Sequence, residues 1–176
     1  MNKEDSRDPE KSVVATLVSD LSPVAQDLSE IAIDGIIDDG LLEEIPLIKT
    51  VVGIAKVGFS IRDRIYLKKV LSFLGPLSKA SAKDREIFVQ ATLGSEDRAE
   101  KFSEAVVSLI DRADSRNKTK LYGMFFLAHI EGTYQYEDTL KFCSMIDRAF
   151  WSDLIQLPNY VEGETESNLL TSELYK

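Results

Sequence analysis

Histidine, cysteine and tryptophan each occur once in this chain of 176 residues. A lone Cys143 excludes an internal disulfide and fits a reducing compartment. One histidine and one cysteine do not build a usual structural zinc site, which draws four ligands mostly from those residue types. His129 sits in "FFLAHIEG", four residues after Phe125 and on the same helical face, so it reads as a packed or hydrogen-bonded side chain. Cys143 has only Lys141 as a basic neighbour in sequence, too little to make a reactive thiolate. No nucleophile–base pair is legible, and no catalytic residue, metal or cofactor is assigned.

Long apolar runs are missing too. Ile45–Phe59 is the least polar stretch, with only Lys49 and Lys56 charged. It falls short of the roughly 20 apolar residues of a spanning helix. The expectation is a helix buried in the core. The alternative is a membrane-active amphipathic effector formed by residues 45–74, whose basic end runs from Arg62 to Lys69. The opening "MNKEDSRDPEK" has no apolar core of a signal peptide behind it, and the expected location is the cytoplasm. A net charge of −9 argues against general nucleic-acid binding.

What is present is helical periodicity. The reading is an all-α, compact bundle of about six or seven helices. Residues 1–10 are expected as a disordered N-terminus, 11–160 as a single helical domain and 161–176 as a polar C-terminal tail. A short helix over "SVVATLVSDL" ends before Ser22-Pro23, and that pair starts a second helix reaching about Asp39. A third runs from Pro46 to about Leu74, bent near Gly58–Ser60 and ended by Gly75-Pro76. Ser81 caps a helix closed by Gly94. Ser95 opens another, with Phe102, Val106, Leu109, Ile110 and Ala113 on one face. After a turn at "DSRNK", the helix "TKLYGMFFLAHIEG" ends at Gly132. "EDTLKFCSMIDRAFWSDLIQL" continues as one long helix to Pro158.

Two stretches imitate known sites and fail on inspection. In "DGIIDDGLLEE", placing Gly40 at position 6 of a calcium loop puts Gly35 and Ile37 where acidic ligands belong. In "GIAKVGFS", Phe59 stands where a phosphate loop needs lysine. Small residues for close helix packing explain Gly53 and Gly58 better.

Charge is segregated along the chain. Residues 1–44 hold twelve acidic against three basic residues, and residues 45–85 hold nine basic against two acidic. Helical spacing aligns Asp27, Glu30, Asp34 and Asp38 in one acidic stripe. The nearest complementary groups are Arg62, Arg64, Lys68 and Lys69. Pairing within the chain is the simplest expectation, and an acidic face aimed at a basic groove of another protein is the sharper one.

"SLIDRA" at 108–113 and "SMIDRA" at 144–149 nearly repeat each other. Their flanks align poorly, so they read as one packing solution used twice. The expectation is reciprocal pairing across two helices, Asp111 with Arg148 and Arg112 with Asp147, or pairing with Arg62–Arg64.

"SIRDRIYLKKVLSFL" together with "SLIDRADSRNKTKLYGMFFLAHIEGTYQYEDTLKFCSMIDRAFWSDL" resembles a family of uncharacterised helical proteins of bacterial and prophage genomes, over about residues 44–157. The resemblance implies a bacterial or phage cytoplasmic setting and a role in conflict between phage and host. It brings no activity or catalytic residue. The expected function is a non-enzymatic helical interaction module, a regulator, inhibitor or sensor with a protein partner. The alternatives are the membrane-active effector and a small-ligand or nucleotide binder between helices. Self-association stays open.

Overall fold

The computed structural model describes residues 9–24, 42, 44–54 and 60–160. Among them the fold is all-α. Eight α-helices follow one another: α1 (Pro9–Val18), α2 (Pro46–Ile54), α3 (Ile61–Leu77), α4 (Ala82–Thr92), α5 (Glu96–Arg112), α6 (Arg116–Ile130), α7 (Tyr136–Arg148) and α8 (Trp151–Leu154). Short 3-10 turns occur at Ser22–Val24 and Leu157–Tyr160.

Serines open four consecutive helices. The hydroxyls of Ser60, Ser81, Ser95 and Ser115 each accept from the amide three residues on, satisfying one of the donors a helix start leaves orphaned. At Ser60 the cap is reciprocal: Asp63 Oδ2 accepts from the Ser60 amide at 3.0 Å and from its hydroxyl at 2.6 Å. The start of α2 is capped from another helix. Thr16 on α1 accepts the Leu47 amide at 2.8 Å while donating to the Ser12 carbonyl. At the other end of α6, Gly132 takes φ +79°. The Thr133 amide then reaches the Ala128 carbonyl and the Gly132 amide reaches that of His129, closing the helix as a Schellman turn.

The pair α3 and α6 forms the centre, α1 packs on α2, α4 and α5, and α7 closes on α6 and α5. Gly123 makes the central pairing possible. A Cβ there would collide with the Phe73 carbonyl oxygen and press on Pro76 Cγ at 3.2 Å. Around this contact Phe126 stands edge-on to Phe73 and Phe102, with ring centroids 5.9 and 5.5 Å apart, and Phe88 extends the series to Phe102 at 5.8 Å. Each such pair adds about 0.5–1.5 kcal/mol beyond the area it buries. The spacing read for α5 also holds, since Phe102, Val106, Leu109, Ile110 and Ala113 are all buried.

Four expectations need correction. The helix expected from Pro46 to Leu74 is two helices, because the Ser60–Asp63 box starts α3 anew. That helix then passes Gly75 and includes Pro76, since Leu77 is fully buried beyond it. The long helix expected up to Pro158 breaks at Ala149–Phe150, both extended. Ile146 is buried, whereas Phe150, one turn further, is 75% exposed. Gly53 does not serve close packing either, as a Cβ there meets open space. The second expected helix, beyond the turn at Ser22–Val24, lies outside the described residues, as do Gly58, most of the N-terminal stretch and the C-terminal tail.

Candidate interaction surface

The N-terminal half of α3 breaks the rule that the rest of the helix obeys. From Leu67 onward it buries Leu67, Val70, Leu71, Phe73 and Leu74. Before Leu67, Ile61 is 79% exposed and Ile65 51%. These two side chains stand one turn apart on the same face. Arg62, Arg64 and Lys68 are exposed around them, and Lys69 is half-exposed.

Beside this face runs a shallow groove lined by Val51 of α2, by Arg62, Ile65, Tyr66 and Lys69 of α3, and by Asp111 of α5. Lys69 Nζ donates to the Asp111 carbonyl at 2.8 Å, placing a cation at the negative end of α5. Burial, with Asp111 and Glu10 adding to it, pushes the Tyr66 phenol up to about 12. It therefore stays a neutral hydrogen-bonding group at physiological pH. Asp63 is committed to its own cap. The hydrogen bonds from Ser60 hold its carboxyl below the usual carboxylate range.

The IDR residues fall into different places. Arg112 Nε lies 3.4 Å from Asp147 Oδ2, across the ends of α5 and α7. Asp111 and Arg148 are not brought together: Asp111 turns to the α3 groove. Adjacent residues on a helix point about 100° apart, so one helix end addresses two neighbours. The junction is larger than sequence reading foresaw. The Tyr122 hydroxyl donates to Asp147 Oδ1 at 3.4 Å. Lys118, 2% exposed, donates to Asp114 Oδ2 at 2.8 Å and to the Asp147 carbonyl at 3.3 Å. The Lys118 bond holds the Asp114 carboxyl below its ordinary range. Burial, reinforced by Asp147, raises the Tyr122 phenol. The four-residue step from Asp114 to Lys118 was a legible signal for part of this.

Arg85 carried no such signal. It is buried, and its guanidinium donates to the carbonyls of Leu17, Ser19 and Ala80 at 2.8, 2.9 and 2.5 Å. It ties the end of α1 to the start of α4. Burial pulls its pKa down, with Asp20 opposing.

His129 Nδ1 donates to the Tyr134 carbonyl at 2.7 Å, and its ring stands edge-on to Phe88 at 5.3 Å. Cys143 is fully buried, and burial pushes its thiol up to about 12. Among the described residues no three His, Cys, Asp or Glu side chains group as metal ligands would. Asp27, Glu30, Asp34 and Asp38 lie outside the described residues, so their expected pairing with Arg62–Lys69 does not enter the site. No protein-family model, curated protein or solved structure matches the chain.

Proposed function

We propose that this protein is a non-enzymatic helical interaction module, a regulator, inhibitor or sensor, that binds a protein partner through the exposed half of α3. The observation that carries the reading is the pair Ile61 and Ile65, left open between basic side chains on a helix whose other half is buried. An interface needs apolar anchors with a polar surround, and this face has both. The resemblance to bacterial and prophage proteins supports a cytoplasmic setting and a role in phage–host conflict.

The membrane-active alternative has less support. Ile45, Leu47, Ile48 and Val51, the aliphatic residues it would insert, are buried. Among the described residues no helix is long and apolar enough to cross a membrane. Capture from a bacterial host, with and without phage infection, tests the reading. A protein held by the wild-type chain and lost with the folded double variant Ile61→Ser, Ile65→Ser supports it. Equal capture by both chains removes α3 as the interface.

A further inference from the structure

We infer that the partner seated on α3 is an acidic amphipathic helix, with carboxylates one heptad apart and aliphatic residues between them. This rests on the reading of α3 as the docking face and narrows it to one chemistry. Arg62 and Lys69 are seven residues apart, two turns, or about 10.5 Å along α3. A helix lying alongside α3 presents carboxylates at that same interval from positions i and i+7. Between the two cations lies Ile65, with Ile61 one turn before it, so aliphatic residues at the intermediate positions of the partner cover both.

The acid at this face is Asp63, Asp111 and, beside Tyr66, Glu10. Asp63 Oδ2 is held by the Ser60 amide and hydroxyl. Asp111 meets Lys69 through its main-chain carbonyl, at the far end of the groove. Tyr66 lines the same groove between Arg62 and Lys69. A lipid surface fits less well. Two exposed isoleucines give little to insert, and a chain of net charge −9 is repelled by an anionic bilayer.

The test uses the full chain and a fluorescein-labelled peptide of about 18 residues, five helical turns, with glutamates at heptad spacing and leucines between. Its counterpart carries lysine for every glutamate, and vesicles of phosphatidylglycerol and phosphatidylcholine in equal parts form a third arm. The glutamate peptide is expected to bind at low salt and the lysine peptide and vesicles not to. Arg62→Glu with Lys69→Glu, and separately Ile61→Ser with Ile65→Ser, should each weaken binding at least about tenfold without loss of helical signal. No binding of the glutamate peptide, equal binding of both peptides, or binding to vesicles alone overturns the inference. So does peptide binding that tightens about tenfold when Asp27, Glu30, Asp34 and Asp38 are all made neutral amides, which identifies the chain's own acidic stretch as the occupant. Failure of the peptide with continued α3-dependent capture of a protein leaves the docking face standing and removes only this partner class.

Discussion

Ile61–Arg64 and the two Ile-Asp-Arg stretches at 110–112 and 146–148 use the same residue types to opposite ends. Ile110 and Ile146 are buried; Arg112 and Asp147 beside them pair across the ends of α5 and α7, and the main-chain carbonyl of Asp111 takes Lys69 of α3. Ile61 is exposed, and the arginine beside it stays at the surface. The difference teaches that the same residue types can close a junction or stay open, depending on whether the isoleucine among them finds core. Where the isoleucine finds core, Arg112 and Asp147 pair across two helix ends. Where it does not, the isoleucine and its arginine stay at the surface, the face proposed for a partner.

That contrast can be broken first on its closed side. Gly123→Ala should cost about 3 kcal/mol, lowering Tm by about 6–12 °C, because the new Cβ enters the Phe73 carbonyl. A melt unchanged within error would mean that α3 and α6 do not approach as closely as described. Lys118→Met should cost less, about 1–2 kcal/mol, since it leaves the Asp147 carbonyl without that donor while Asp114 remains open to water.

The same variant changes the acid side of the stability curve. Lys118 holds the folded-state pKa of Asp114 below its unfolded value. The contribution of this pair is therefore complete above the ordinary carboxylate pKa of about 4 and disappears as pH falls through the lower folded value. Lys118→Met should flatten this part of the loss between neutral and acid pH. Identical acid profiles for the two proteins would remove the pair as a contributor.

On the open side the expected effect on stability is smallest. Ile61→Ser with Ile65→Ser should shift stability by no more than about 0.5 kcal/mol in a denaturant titration. A larger loss would place these residues inside the fold. Cys143 offers a check that involves no substitution. Iodoacetamide at pH 8 should leave the folded protein unmodified and label it rapidly in urea, because the buried thiol resists ionisation.

The sequence made some of this legible and hid the rest for physical reasons. Capping is local, so Ser81, Ser95 and the turn before α6 could be read from a few residues. The face of α5 followed from three- and four-residue steps. The restart at Ser60 rests on an equally local cap, which the apolar run across it masked, while the break at Ala149–Phe150 escaped because periodicity continues through it. Arg85 and Gly123 escaped because their roles lie across the fold, with carbonyls of Leu17 and Phe73 that no spacing reveals. Of the interaction surface, the basic residues of α3 were visible. The exposure of Ile61 and Ile65 was not, since the same amphipathic pattern fits a helix packed on either side.

The most direct measurement sets Arg62→Glu against Lys118→Met, reading thermal melts and glutamate-peptide binding on the same preparations. Arg62→Glu should keep its Tm within about 2 °C and lose most of its peptide binding, while Lys118→Met should melt lower by about 2–8 °C and bind as the wild type does. An Arg62→Glu protein that melts early and still binds, or a Lys118→Met protein that melts normally and no longer binds, would contradict the division between an open face and a closed junction.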